Sequence, residues 1–471
     1  MSSYDEIRYL RSKAQSLCEG LKLRLSEFDD DFPAGSPGEL IRVTTAFLEK
    51  IRDEVEGTSD RNILMAFFRL IDTLSGTLDL LDNAHTAQTP RGLVQFLEQI
   101  ANSLYPGSTL LVSPTSAYNY SIINIIPAFS KLANDALSAS AATALTATFP
   151  KELYVVRFPR TERDNVLNHT VFGHEFGHPI ADAFIAAHEQ QPAFSSRLTI
   201  AKQKIQSEPT LQGLLNKTTD PVEKSQLLSH FVDTVVTLHK RGLEELIADA
   251  VGVQLFGISA LLAGLDVFGQ TSLDSAPKPP RYYPPPRYRL RLMHQALQDD
   301  KQLPTLAKLK FPTDLADVAE STLGVLAHLD QLVSQQHDKA QIAKNVIAKI
   351  AYEWLDATLP EAIQFASQRL QSLRYATNFK GTSFISLIER LALHVPPNEV
   401  GKWPKLAVGD WREGLLASWL VAISKSVEKN GTPASRLKDL GTVHKLALKG
   451  VEYGVIQKQC IEHLVKQGAT P

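Results

Sequence analysis

Three side chains with metal and proton-transfer chemistry, His174, Glu175 and His178, lie in the pentad His-Glu-Phe-Gly-His. In a helix, residues four apart share a face with their Cβ atoms about 5–6 Å apart, so the two imidazoles can converge on one zinc ion. Glu175 is rotated about the helix axis, where its carboxylate can take a proton from a metal-bound water. The pentad therefore predicts two metal ligands and a general base. The alternative is a helix with two ordinary histidines and a surface glutamate.

A catalytic zinc ion needs a third protein ligand and one open position. The metzincin pattern is excluded because Ala181 and Phe184 stand where it requires glycine and histidine. Glu245 and Asp249, four residues apart in a later apolar segment, can supply one ligand and one acceptor for a ligand histidine's free ring N–H. Glu244 competes for the ligand role, but no acid lies four residues after it, so Glu245 is favoured. The alternative for this acidic pair is a solvated helix face.

The sequence HEFGH followed by EELIAD resembles gluzincin zinc metallopeptidases. It is similar to thermolysin-like enzymes and, more closely, to the soluble catalytic core of CAAX-prenyl-protease-like metallopeptidases. The resemblance covers about residues 150–295. It implies that the zinc ligands are His174, His178 and Glu245, that Glu175 is the general base, and that Asp249 orients His174.

The proline-rich segment from Pro277 to Pro286 supports the same resemblance, because the second group carries a His-Pro loop with an arginine six residues after the histidine. Here Tyr283 precedes Pro284, and Arg289 lies six residues after Tyr283. The resemblance implies that Tyr283, in place of the histidine, donates a hydrogen bond to the developing oxyanion. The membrane helices of that family are missing, which argues against a membrane-embedded substrate.

Five basic residues and no acidic residue lie between Lys278 and Arg291. Arg287 and Arg289 are therefore candidates for the rim of a substrate cleft, with pairing to internal acids as the alternative. A nucleic-acid patch is disfavoured, because one basic loop on a chain with net charge −2 is weak evidence for such a surface.

Helical periodicity dominates the chain and predicts a mainly α (α+β) fold, with a zincin-like catalytic core that contains a small sheet. We expect an N-terminal helical domain at 1–105, a gluzincin-like catalytic domain at 106–295 and a C-terminal helical domain at 296–471.

Two β-rich segments, Thr109–Ser113 and Glu152–Phe158, are predicted strands, whereas Tyr118–Asn124 is either a strand or the start of a helix. Glu152–Phe158 is a candidate exposed edge that holds a peptide by strand addition, with a purely structural role as the alternative. Arg241-Gly242 is predicted to break the helix before Glu245.

Composition and hydropathy indicate the cellular compartment and the class of protein. The chain has 471 residues, 44% of them hydrophobic, and two cysteines, Cys18 and Cys460, which cannot form a disulfide framework. The N-terminus lacks the apolar core of a secretion signal, and no stretch has the roughly 20 apolar residues of a membrane span. We expect a soluble cytoplasmic protein.

These features predict a zinc metallopeptidase in which Glu175 activates a zinc-bound water to hydrolyse peptide bonds. An endopeptidase is favoured because the aminopeptidase segment G-x-M-x-N does not occur in the sequence. The large helical flanks indicate narrow specificity or regulation by a protein partner. Two alternatives stay open: a helical interaction protein with a structural zinc site or an inactive protease core, and hydrolysis of a non-peptide amide.

Overall fold

The computed structural model describes residues 5–28, 32, 37–269, 271–375, 381–401, 406–427 and 432–466. It is mainly helical, with a three-stranded mixed sheet and a two-stranded sheet. The chain divides into two compact units, Met1–Asp164 and Asn165–Pro471. The domain boundaries expected after residues 105 and 295 each fall inside a unit, and the larger sheet belongs to the first unit while the pentad belongs to the second.

The first unit contains six helices and three strands within its described residues. In chain order they are α1 (Glu6–Ser26), α2 (Pro37–Gly57), α3 (Arg61–Ala84), α4 (Arg91–Leu104), β1 (Thr109–Thr115), β2 (Ser121–Asn124), α5 (Ile126–Ala136), α6 (Ala139–Thr146) and β3 (Leu153–Pro159). Their core surrounds Phe47, a fully buried residue of α2, whose ring lies 6.2 Å from that of Phe129 and 6.5 Å from that of Phe149.

Strand β3 occupies the centre of the three-stranded sheet. It pairs in parallel with β1, where Val155 faces Leu111, and antiparallel with β2, where Val155 faces Ile123. The two predicted strands are confirmed, and the ambiguous third segment forms β2. The expectation that the Glu152–Phe158 segment offers an exposed edge to a peptide is wrong, because both edges of β3 are already paired.

The second unit is built from helices and one short two-stranded sheet. Its elements are α7 (Phe172–Glu175), α8 (Gly177–Glu189), α9 (Pro192–Ser207), α10 (Pro209–Lys217), α11 (Pro221–Phe256), α12 (Ile258–Gly269), α13 (Pro286–Asp299), α14 (Gln302–Ala307), α15 (Ala316–Ser334), α16 (His337–Lys344), α17 (Val346–Arg369), α18 (Gly381–Ala392), β4 (Glu399–Val400), β5 (Ala407–Val408), α19 (Trp411–Ser426) and α20 (Pro433–Lys466). Among the described helices of the chain, none is both long and apolar enough to cross a membrane.

Helix α11 is the central element of the second unit and packs against α7, α8, α13 and α17. Asp220 caps its start by accepting a 2.8 Å hydrogen bond from the N–H of Val222. The helix ends at Phe256, and the next residue, Gly257, has a φ of 58°, which favours glycine. The predicted break at Arg241-Gly242 is wrong. Gly242 lies inside the helix, where a Cβ would come within 2.7 Å of the Leu355 side chain, so close packing accounts for this glycine.

Small residues let the pentad approach α11 closely. A Cβ on Gly173 would lie 2.9 Å from the Cα of Gly252, and a Cβ on Gly177 would overlap the backbone of Ala248. These contacts bring the backbone that carries the two histidines next to the backbone that carries the acidic residues of α11.

We predict that Gly177→Ala destabilises the protein by about 1–3 kcal/mol or more, because the added methyl group must push α8 away from α11. Gly213→Ala in α10 is the matched control. A Cβ there meets nothing within 4 Å, and the substitution should stabilise the protein by up to about 1 kcal/mol. Urea unfolding measures both effects. Equal free energies of unfolding for the two variants would contradict the close contact.

Candidate metal centre

The pentad forms a nearly continuous helical segment. Helix α7 ends at Glu175 and α8 begins at Gly177, but Phe176 between them keeps helical angles (φ −64°, ψ −19°), and its N–H bonds to the carbonyl of Phe172 at 2.9 Å. Pro179 has no N–H to donate to the carbonyl of Glu175, in keeping with the interruption at this point. The two histidines remain on the face that packs against α11.

His174, His178 and Glu245 bring one ligand atom each within 4.8 Å of one another. His174 Nε2 lies 3.5 Å from Glu245 Oε2, and the two imidazole centroids are 4.8 Å apart. Two ligand atoms about 2.1 Å from a tetrahedral zinc ion are about 3.4 Å apart, so this separation suits a shared ion. Over the part of the chain that the structure describes, this is the one group of three or more histidine, cysteine or acidic side chains with metal-binding geometry.

Glu175 lies beside this group as the pentad predicts. Its Oε2 is 4.0 Å from His178 Nε2, and its side chain is only 14% exposed. Burial raises the pKa of Glu175, although both neighbouring histidines oppose the shift. The carboxylate is therefore close to the ligand atoms and shielded from bulk water.

Asp249 contacts the first histidine, as the sequence predicts. Its Oδ1 lies 2.9 Å from His174 Nδ1, which leaves Nε2 of that ring directed at Glu245. A carboxylate on one ring nitrogen fixes the tautomer that presents the other nitrogen to a metal. Burial opposes ionisation of Asp249, but the charge and hydrogen bonds of Arg289 outweigh burial and hold the pKa of this carboxyl well below its usual range.

Arg289 ties the two acidic residues of α11 together. Its guanidinium donates two hydrogen bonds of 2.7 Å to Asp249, and its Nη1 lies 2.9 Å from Glu245 Oε2. The ring of Phe268 covers it at 4.6 Å. A planar guanidinium suits this bidentate pairing, and its charge offsets the repulsion between the two carboxylates.

Glu244, set aside as a ligand from the sequence, contacts the second histidine. Its Oε1 is 3.4 Å from His178 Nδ1, an ion-pair distance without good hydrogen-bond alignment, and it also pairs with Arg241. Burial favours the neutral ring, but the contact with Glu244 and the charges of Glu175 and Glu245 outweigh burial and raise the pKa of His178. Each histidine thus has a carboxylate at Nδ1. In the sequence, the feature that could have indicated this contact is the position of Glu244 directly before Glu245.

The rim expectation for Arg287 and Arg289 is wrong. Both residues are buried, with 6% and 7% exposure. Arg287 pairs with Asp274 at 2.6 Å and donates to the carbonyl of Leu332. The alternative of pairing with internal acids is the arrangement found, because a buried guanidinium needs carboxylate or carbonyl partners.

Tyr283 is partly exposed, and the Arg241 guanidinium lies 5.7 Å from its ring centroid. The same guanidinium pairs with Glu244 of α11. The role of Tyr283 as an oxyanion donor stays a prediction.

No family model, curated protein or solved structure matches this chain.

We predict that the protein binds one equivalent of Zn²⁺ and that Glu245→Gln weakens binding by about 100-fold or more, because an anionic ligand is lost. Glu223→Gln, in the first turn of the same helix, is the matched control and should leave the affinity unchanged. Competition with a chromogenic chelator measures both. Unchanged zinc affinity in Glu245→Gln would remove this residue from the ligand set.

We predict that Arg289→Met destabilises the metal-free protein by about 3–5 kcal/mol, because two buried carboxylates lose their counter-charge. Zinc should restore part of this loss by binding Glu245. Arg287→Met is the control: it also breaks a buried ion pair, but zinc should stabilise it no more than it stabilises the wild type. Chemical unfolding of the wild type and both variants, each with and without zinc, measures the six free energies of unfolding. Equal stabilisation of both variants by zinc would contradict the link between Arg289 and the metal centre.

Proposed function

We propose that this protein is a zinc-dependent metallopeptidase of the gluzincin type. The observation that supports this best is the location of the Glu175 carboxylate beside His174, His178 and Glu245. In this proposal α7, α8, α11 and α13 form a zincin-like catalytic core, and Zn²⁺ is its cofactor.

The donor set favours hydrolysis over a structural role. Structural zinc sites are generally closed by four cysteine or histidine ligands, whereas two histidines and one carboxylate leave a position for water. A structural site also has no need of a second carboxylate beside the ligands. Glu175 is such a carboxylate: its Oε2 lies 4.0 Å from His178 Nε2, and its side chain is only 14% exposed.

His174, His178 and Glu245 would hold the zinc ion, which would acidify a water molecule and polarise the scissile carbonyl. Glu175 would accept the proton of the attacking water at its carboxylate and pass it to the leaving amine. Asp249 holds the imidazole of His174 in the tautomer that ligation needs, and Glu244 lies 3.4 Å from Nδ1 of His178. Tyr283 is proposed to donate a hydrogen bond to the oxyanion.

The proposed substrates are proteins or peptides, cleaved at internal bonds with narrow specificity or under the control of a protein partner. Hydrolysis of another amide by the same residues is the competing outcome, and the following experiment distinguishes the two.

We predict that Glu175→Gln retains zinc but lowers the cleavage rate by about 10²–10⁴-fold, because the general base is lost while the ligands remain. Glu189→Gln, at the end of α8 and paired with Lys240, is the matched control with unchanged activity. Each protein is incubated with a proteome, and mass spectrometry of the new peptide termini measures cleavage. Metal analysis of the same protein preparations measures zinc.

Equal cleavage by wild type and Glu175→Gln would overturn the general-base role. Zinc in the wild type without any new peptide terminus would overturn peptidase activity and favour another amide. Termini confined to one end of the substrates would replace the endopeptidase with an exopeptidase.

A further inference from the structure

Two buried histidines lie close together in the second unit, outside the candidate metal centre. His188 is in the last turn of α8 and His239 is in α11, and the two residues are 4% and 0% exposed. Their ring centroids are 6.2 Å apart. Nε2 of His188 and both ring nitrogens of His239 have no hydrogen-bond partner among the described residues. A buried polar atom without a partner costs about 1–3 kcal/mol, so a ligand on these nitrogens would stabilise the protein.

A chain of hydrogen bonds sets the tautomer of His188. The side-chain amide of Gln191 donates to Glu361 of α17 at 3.3 Å, and its Oε1 therefore faces Nδ1 of His188, also at 3.3 Å. An amide oxygen only accepts, so Nδ1 carries the ring proton. The lone pair of the neutral imidazole then lies on Nε2, the nitrogen without a partner. Histidines in metal sites are held in the same way, by an acceptor on the other ring nitrogen.

The spacing of the two rings is too long for a hydrogen bond between them and suits a small ion. Two imidazoles joined by an N–H···N bond of about 2.9 Å have centroids about 5 Å apart. Two imidazoles bound to one metal ion at about 2.0 Å have centroids about 5 Å apart at a tetrahedral angle and about 6.2 Å apart on opposite sides of the ion. The 6.2 Å between His188 and His239 matches opposite ligands, whereas the 4.8 Å between His174 and His178 is close to the tetrahedral value.

Aromatic side chains cover the histidine pair. Trp354 of α17 stacks on His239 with ring centroids 4.1 Å apart, and Phe184 stacks on His188 at 5.4 Å. Phe194 of α9 contacts both His188 and Trp354. The three nitrogens without partners are therefore closed off from water, and an ion held by them would keep no water ligands.

The charges around the pair favour a monovalent cation. Burial lowers the pKa of His239 to about 3, and the charges of His188 and Lys240 act in the same direction, so this ring is neutral at pH 7. In the part of the chain that the structure describes, neither ring forms an ion pair with a carboxylate, and Glu189, which follows His188, pairs with Lys240 instead. A divalent cation here would lack a counter-charge, and Zn²⁺ and Cu²⁺ need more than two ligands. Copper(I) is monovalent, binds imidazole and accepts two opposite ligands.

We infer that His188 and His239 form a two-coordinate site for copper(I), with the ion between Nε2 of His188 and a ring nitrogen of His239. The ion would connect the end of α8 to α11. Neither histidine belongs to the candidate metal centre, so the inference is independent of the proposed zinc site and of its activity.

Anaerobic titration of the zinc-loaded full chain with copper(I), in competition with the chelator bathocuproine disulfonate, tests the inference. The protein carries Cys460→Ser, because the exposed thiol of Cys460 is itself a soft ligand for copper(I). We expect one equivalent of tightly bound copper. X-ray absorption at the copper edge should show two nitrogen ligands and no sulfur, with bonds shorter than the about 2.0–2.1 Å of a tetrahedral imidazole complex.

His188→Leu and His239→Leu should each weaken copper binding by about 100-fold or more, because one of only two ligands is lost. Leucine also removes buried nitrogens without partners, so both variants should fold, and thermal unfolding checks this. Copper should raise the melting temperature of the Cys460→Ser protein but not that of these variants. His230→Leu, at an exposed histidine of the same helix α11, is the matched control with unchanged affinity.

Three results would overturn the inference: no tightly bound copper, a copper ion with sulfur or with three or more ligands, or copper affinity that survives both His188→Leu and His239→Leu. Loss of binding in His178→Leu, with retention in those two variants, would place the copper in the candidate metal centre. The absorption measurement uses no histidine variant, so it decides even if both variants fail to fold. None of these outcomes bears on zinc content or cleavage by the wild type.

Discussion

Two buried carboxylates on one helix face constrain the second unit more than any other feature. Glu245 and Asp249 are each 4% exposed and four residues apart, an arrangement in which like charges repel and lose hydration. Arg289 lies within 3 Å of both carboxylates, and His174 lies 3.5 Å from Glu245 and 2.9 Å from Asp249. The position of α13 relative to α11 and the orientation of the first histidine are therefore parts of one charge arrangement.

Close packing of small residues makes this arrangement reachable. Gly173 and Gly177 leave room for α11 to approach the pentad at Ala248 and Gly252. Side chains larger than these would separate the helices and lengthen the 3.5 Å distance between His174 Nε2 and Glu245 Oε2. Charge pairing and close packing are thus needed together to form the metal-binding group.

Spacing within one helix was predictable, but contacts between helices were not. The group of His174, His178 and Glu245 follows from two four-residue intervals, each of which fixes a shared face. The pairing of Arg289 with Glu245 and Asp249 depends on how α13 is rotated against α11, and no local sequence pattern encodes that rotation. The basic residues around Arg289 therefore predicted an exposed surface. The helix through Gly242 was missed because glycine usually signals a break, whereas here the Leu355 side chain fills the space. Likewise, composition identified β3 as a strand, but only the pairing of all three strands makes it the central one.

A crystal structure of the zinc-loaded protein, with anomalous diffraction measured at the zinc absorption edge, tests the central claim most directly. The account predicts one anomalous peak per chain, about 2.0–2.2 Å from His174 Nε2, His178 Nε2 and a carboxylate oxygen of Glu245. A zinc peak held by other side chains, or a Glu245 carboxylate that stays on Arg289 while the histidines bind the ion without it, would contradict the account.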